Sequence, residues 1–320
     1  MDQPSAPTPP PEPLWTPRPV FPLPVTPVQR RPPAWVHLLL LLVTVGSTTY
    51  YGSLHYQGFV TDFDRVVLRE TTLWHGLWYS GTILAILGCH ELGHYFACRY
   101  YRVDASLPYF LPAPLLTGTL GAFIRIRQPI PTKRMLFDIG VAGPIAGFVV
   151  SVPALFLGLS LSRVLPLPEE FSGYSLGEPL LFQFAAWLIW GDAPAGYSLN
   201  LHPMAFAAWF GLLATALNLF PIGQLDGGHI SYATLGARST WVTLGATAVV
   251  VLLTFRSASW IAWAVLMIVM MVTMGPRHPR TLDHHIPLDR TRVWIAIAAV
   301  AMFVVCFTPA PLEFTTAIGD

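Results

Sequence analysis

Charge is what this chain has least of. Only 11% of its 320 residues are Asp, Glu, Lys or Arg, against about 25% in an ordinary soluble domain, while 53% are hydrophobic. That excludes a water-soluble globule: too few charged side chains exist to cover its surface, so most of the polypeptide faces lipid or other apolar helices. A net charge of only +1 removes the electrostatic basis for nucleic-acid binding. Cysteine is scarce too. Cys89, Cys98 and Cys306 stand far apart, which excludes a disulfide framework and a Cys-x-x-Cys pair. Cys89 adjoins a histidine, but neighbours on a helix point about 100° apart, so all three read as small apolar residues.

Proline, by contrast, crowds one end: thirteen of the first 33 residues. Such a stretch cannot bury a core and predicts a disordered or polyproline-like tail over 1–33. It is either a flexible extension or a docking site for a proline-recognising partner. The first apolar run, Trp35 to Thr49, follows Arg30 and Arg31 and lacks a small-residue cleavage site, so it reads as an anchor and not a removed signal.

About 20 apolar residues at 1.5 Å rise cross a hydrocarbon layer of roughly 30 Å. On that ruler seven stretches qualify: 35–52, 73–98, 136–161, 203–221, 239–255, 258–274 and 292–309. The expected fold is an all-α polytopic membrane protein of about seven transmembrane helices, a multi-pass domain over 34–310 with its core at 70–260, and a short C-terminal tail at 311–320. Basic residues cluster before the first span (Arg30, Arg31), between the second and third (Arg99, Arg102, Arg125, Arg127, Lys133, Arg134) and between the sixth and seventh (Arg277, Arg280, Arg290, Arg292). Seven crossings put all three clusters on one side, which the positive-inside rule makes cytoplasmic, with the N-terminus. The opposite loop, 162–202, holds Glu169, Glu170, Glu178 and Asp192 against the single Arg163. Trp35, Trp74, Trp78 and Tyr79 read as interfacial anchors. Between spans two and three the pattern turns irregular. Leu107 to Pro114 carries three prolines, and Phe123 to Arg127 alternates with period two, so 105–130 reads as a re-entrant loop with a short β-hairpin lining a cavity.

One segment carries chemistry. His90-Glu91-Leu92-Gly93-His94 sets two imidazoles four residues apart, on one helical face, with a carboxylate between them. This is the spacing at which two histidines share one zinc ion and a glutamate reaches its water. An ionisable residue at membrane depth costs at least about 2.5 kcal/mol, so Glu91 needs a partner or a task. Two-histidine zinc sites usually take a carboxylate as third ligand, and Asp226, just past the inner end of the fourth span, is the best downstream candidate. Blander readings stand beside these: satisfied core histidines, and an Asp226 that only caps a turn. Asp138 reads as a helix-dipole partner in the first turn of span three. Gly140, Gly143 and Gly147 read as a close-packing set, His202 and His229 as surface or interface histidines, and His284 and His285 as solvated.

His90 to His94, taken with Asn218-Leu219-Phe220-Pro221 and Asp226-Gly227 eight residues after the asparagine, resembles the site-2 protease family of intramembrane zinc metalloproteases, whose motifs read HExxH and NxxPxxxxDG. The likeness covers about 70 to 260. It implies one Zn2+ per chain held by His90, His94 and Asp226, with Glu91 as general base and Asn218 as a polar contact to substrate or oxyanion. It further implies hydrolysis of peptide bonds within transmembrane segments of substrate proteins in the lipid bilayer, in regulated intramembrane proteolysis. Many relatives carry a PDZ or CBS module. The 162–202 loop and the C-terminus are too short for one here, which is similar to the branch lacking a PDZ domain. Short loops and the absence of a transit signal favour a prokaryotic plasma membrane. The non-enzymatic alternative is a catalytically silent protease relative that binds membrane helices. A peptidase using a downstream glutamate, or a metal transporter with carboxylates strung along a path, fits the Asp226 motif less well.

Overall fold

Between apolar helices in lipid there is little hydrophobic drive to pack, so close backbone approach and satisfied polar groups decide who touches whom. The computed structural model describes residues 32–62, 72–167, 172–275 and 278–316. The expected proline-rich tail lies, but for its last two residues, outside the described residues, as do Glu169, Glu170 and Arg277. The helices are α1 (Ala34–Val60), α2 (Leu77–Tyr100), α3 (Lys133–Ser160), α4 (Leu180–Trp190), α5 (Pro203–Asn218), α6 (Asp226–Leu235), α7 (Ser239–Leu253), α8 (Trp260–Met274) and α9 (Arg290–Cys306). The described residues also form six short strands: β1 (Tyr109–Pro112), β2 (Thr119–Phe123), β3 (Arg163–Pro166), β4 (Ser172–Leu176), β5 (Tyr197–Asn200) and β6 (Leu312–Thr316). The chain is therefore mostly helical, not all-α as expected.

A helix occupies each of the seven expected stretches. Three helical stretches are long and apolar enough to cross a membrane by length and composition: α1, α3, and Asp226–Leu253, which joins α6 to α7. α2 has the length but not the hydropathy, because His90, Glu91 and His94 lie in it. α5 and α8 are apolar but shorter. The expected span 239–255 thus starts earlier than its composition suggests: one 3-10 turn, Gly236–Arg238, carries the helix on from Asp226. The polar Asp226-Gly227-Gly228-His229 start hides that half from a hydropathy reading.

α3 is the central helix. It packs on α2, α5 and α6, and the fully buried Phe137, Leu155, Leu159, Trp209 and Leu212 fill the space between α3 and α5. The 105–130 segment forms the expected hairpin, though β2 ends at Phe123 and only a single bridge, Ala105 to Ile126, continues it. α1 covers its backbone. Ser47 Oγ donates to the Gly118 carbonyl at 2.7 Å, His37 Nδ1 lies 3.2 Å from the Pro108 carbonyl, and His55 Nε2 lies 2.8 Å from that of Leu116. His37 and His55 are about 27 Å apart along a helix, so these side chains serve non-helical backbone across nearly a membrane's depth, where no water would. Tyr79, expected at an interface, is fully buried instead and donates to the Thr117 carbonyl at 3.1 Å.

The 162–202 loop is also more ordered than a plain connection. β3 pairs with β5, and β4 pairs with β6, so part of the expected C-terminal tail is a strand; residues 317–320 lie outside the described residues. Asp138 sits in the second turn of α3 and is no free dipole partner. Arg292 Nε of α9 donates to its Oδ1 at 2.8 Å, and Tyr101 donates to its Oδ2.

Candidate metal centre

α2 presents His90 and His94 on the face that meets α3. Gly143 and Gly147 of α3 make the room: a Cβ at Gly143 would fall on the His94 ring, and one at Gly147 would stand 3.2 Å from His90 Nδ1. Asp226 arrives from the other side. α5 runs to Asn218, Pro221 prevents its continuation, and the chain turns so that Asp226 opens α6. A carboxylate in the first turn of a helix is favoured there by the helix dipole.

The donors converge. Nε2 of His90 and Nε2 of His94 are 3.1 Å apart, and Oδ2 of Asp226 is 3.3 Å from each. Ligands about 2.0–2.2 Å from a tetrahedral ion stand roughly 3.3–3.6 Å from one another, so this near-equilateral triangle, two edges at 3.3 Å and one at 3.1 Å, is close to one face of such a site. Two imidazoles and a carboxylate are a donor set that suits zinc. Nδ1 of His94 lies 2.7 Å from the Ile139 carbonyl oxygen and must donate to it, which leaves Nε2 as the lone pair facing the triangle. All of this is enclosed: His90, Glu91 and His94 are 5–7% exposed and the Asp226 side chain 14%.

Glu91 Oε1 is 4.0 Å from His90 Nε2, farther than Asp226 and beside the triangle instead of at its third corner. The backbone amide of Ile124, just past β2, points at the Glu91 carboxylate. Asn218 Nδ2 lies 3.4 Å from His90 Nε2, at the rim. Thus all five residues singled out for the site, His90, Glu91, His94, Asn218 and Asp226, come together, although His90 and Asn218 are 128 positions apart in the chain.

Other singled-out groups stand apart. His202 caps the N-terminus of α5, its Nδ1 accepting from the Met204 amide at 3.3 Å, and burial, with Arg163 nearby, pushes its pKa down to about 4. Tyr101, the C-cap of α2, has its hydroxyl pKa raised by burial and then by Asp138. His284 and His285 are exposed. His229 is half-buried and faces His278, a residue that sequence reasoning passed over because it sits in a polar connection with no motif around it. The supporting carbonyl of Ile139 was equally invisible, since a backbone acceptor leaves no trace in a sequence.

Comparison with known proteins yields a family model, Peptidase family M50, matching residues 78–256, a range that includes all five site residues. The protein named "Probable zinc metalloprotease EGY1, chloroplastic" of Arabidopsis thaliana is 31% identical over 237 residues, 68% of this chain and 42% of the relative. "Probable zinc metalloprotease EGY2, chloroplastic" of the same plant is 29% identical over 234 residues, 72% of this chain and 41% of the relative. The EGY1 protein of Oryza sativa subsp. japonica is 35% identical over 158 residues, 48% of this chain and 27% of the relative. The chain therefore spans at most about two-fifths of these relatives' length. No solved structure matches it.

Proposed function

The chain belongs to peptidase family M50, and from that premise we propose that it is an intramembrane zinc metalloprotease that hydrolyses peptide bonds within the transmembrane segments of other membrane proteins. The observation that carries this reading is the triangle of His90, His94 and Asp226 donors, enclosed by helices apolar enough for lipid. His90, His94 and Asp226 would hold one Zn2+, which when bound acidifies a water and polarises a carbonyl. Glu91, 4.0 Å from His90, takes a proton from a water lodged beside the donors and delivers it to the leaving amine nitrogen. Asn218, at the rim, donates to the carbonyl oxygen as negative charge develops on it.

A substrate helix hides its carbonyls in internal hydrogen bonds, so the scissile segment must first unwind. β2 is one strand of a two-stranded sheet, and its other edge, which pairs with no strand among the described residues, can hold the opened segment by strand addition, which uses backbone groups irrespective of side chains. Its continuation at Ile124 reaches Glu91, which supports this path.

Seven crossings, with the N-terminus in the cytoplasm, remain the topology we favour. Asn200 Nδ2 donates to the Phe59 carbonyl at 2.8 Å, and β4 pairs with β6, which supports one shared side for the end of α1, the 162–202 segment and the end of α9. Lys133 N donates to Asp283 at 2.8 Å and Leu282 N to Pro131, which supports the opposite side for the basic loops. A prokaryotic plasma membrane fits that charge distribution, and regulated intramembrane proteolysis is the cellular role that fits the chemistry. No feature of the site favours a silent helix-binding protein, since Glu91 stands beside its ligands. The deciding experiment compares the purified chain with Glu91→Gln in detergent. One zinc per chain is expected in both, and cleavage of a transmembrane peptide in the unsubstituted chain alone. An active glutamine variant would falsify the assignment of Glu91.

A further inference from the structure

A metal ion destined for the triangle has to reach it, since His90 and His94 are 5% and 7% exposed, and a buried site without a path from solvent cannot load. Next to the triangle, one turn along α6 from Asp226, stands His229. It packs against Gly140 of α3, one turn before Gly143 makes room for His94. Its Nδ1 is 2.8 Å from Nε2 of His278.

The hydrogen bonds fix both rings. Nδ1 of His278 is 2.7 Å from the Pro279 carbonyl oxygen and must donate to it, so its Nε2 carries the lone pair that faces His229. His229 then donates from Nδ1. An imidazole whose Nδ1–H is bound to a backbone carbonyl, with the Nε2 lone pair turned toward a neighbouring imidazole, is also the arrangement at His94, and a carbonyl on the far ring nitrogen is how proteins orient histidines as metal ligands. Tyr232 stacks on the His278 ring at 4.4 Å and 15°, holding it in place. On its outer side His278 lines a cavity of about 490 Å³ together with Tyr232, Trp241, Arg280 and His284, the last two exposed. Two imidazole nitrogens bound to one ion at about 2.0–2.1 Å stand roughly 2.9–3.4 Å apart for angles near 90–109°. The pair at 2.8 Å needs to open by only a few tenths of an ångström, with each ring turning by roughly 35–45° to aim its nitrogen at the ion.

Resting on the reading of the buried triangle as a zinc site, we propose that His229 and His278 form a staging site for a divalent transition-metal ion between the surface cavity and that triangle. On binding, His229 changes from the Nδ1–H to the Nε2–H tautomer, so no proton need leave. His284, on the cavity wall, is the first imidazole an incoming ion meets.

The test uses the full chain in detergent micelles and two probes. With the triangle disabled by His90→Ala and His94→Ala, titrated Ni2+ is expected to bind at one ion per chain. Adding His278→Gln, which keeps most of the ring's volume, should weaken that binding at least tenfold, and adding His285→Ala should leave it alone. Nickel affinity indifferent to His278 would overturn the site. In the metal-free chain with an intact triangle, His278→Gln should slow Zn2+ uptake at least tenfold while the end point stays at one zinc per chain. Equal uptake rates would overturn the staging role. Failure of the triangle itself would look different: no zinc retained at the end point in any variant, while nickel still reports on the histidine pair.

Discussion

Gly143→Ala tests the metal centre through a residue that ligates nothing. An added Cβ would lie 2.5 Å from two carbons of the His94 ring, where carbon atoms at rest stand about 3.5 Å apart or more. Gly143 is in the middle of α3, held between α2 and α6, so the ring is the part that yields, by about 1 Å. Zinc bonds tolerate deviations of roughly 0.2 Å. His94 would therefore be turned out of line with the triangle and lose its orienting bond to the Ile139 carbonyl. Loss of such support costs about 10- to 100-fold in metal affinity, or roughly 1.4–2.8 kcal/mol. The fold should not suffer in proportion, because alanine in a helix interior is favoured over glycine by roughly 0.5–1 kcal/mol. The assay is zinc retained against a graded chelator, with Gly81→Ala as control, since a Cβ there meets nothing within 4 Å. Gly147→Ala, whose Cβ would stand 3.2 Å from His90, should fall between. If Gly143→Ala held zinc as tightly as the unsubstituted chain, the inferred fit of α3 around the histidines would be wrong.

Ile124→Pro removes the amide that faces Glu91 and breaks the strand-like edge, so transmembrane peptide cleavage should disappear while zinc stays bound; undiminished cleavage would rule out strand addition there. Arg292→Met strips Asp138 of its guanidinium partner in a site where both side chains are 17% and 23% exposed, and should cost roughly 3 kcal/mol, read as a lower midpoint of thermal unfolding in detergent. A midpoint unchanged within error would mean that this link is not structural. His202 has a folded pKa of about 4, below its ordinary 6.5, so the unfolded chain binds the extra proton between those values. Its contribution is therefore complete above about pH 6.5 and is lost as pH falls toward 4. Unfolding midpoints measured from pH 7.5 to pH 5 should drop less steeply for His202→Asn, which keeps a capping side chain; parallel slopes would contradict this.

The sequence by itself determined the kind of environment and the kind of chemistry. Eleven per cent charge leaves only lipid as a consistent surroundings, and the His90-Glu91-x-x-His94 spacing puts both imidazoles on one helical face wherever that helix sits, because 3.6 residues per turn is a local property. A hairpin within 105–130 was likewise legible, but the period-two alternation of Phe123 to Arg127 lies almost wholly past the strand that forms, since β2 pairs over Thr119–Phe123 and only Ile126 bridges beyond it. Only the tertiary structure decided what lies opposite. Asp226 meets His90, 136 positions earlier in the chain, because α3 lies between α2 and α6 and its glycines admit the rings. Tyr79 turned inward because a hairpin carbonyl needed a donor, and the tail became β6 because β4 offered an edge. His278 acquired a role only when folding brought it to His229. Contacts of that kind belong to pairs of distant segments, and no local periodicity encodes them.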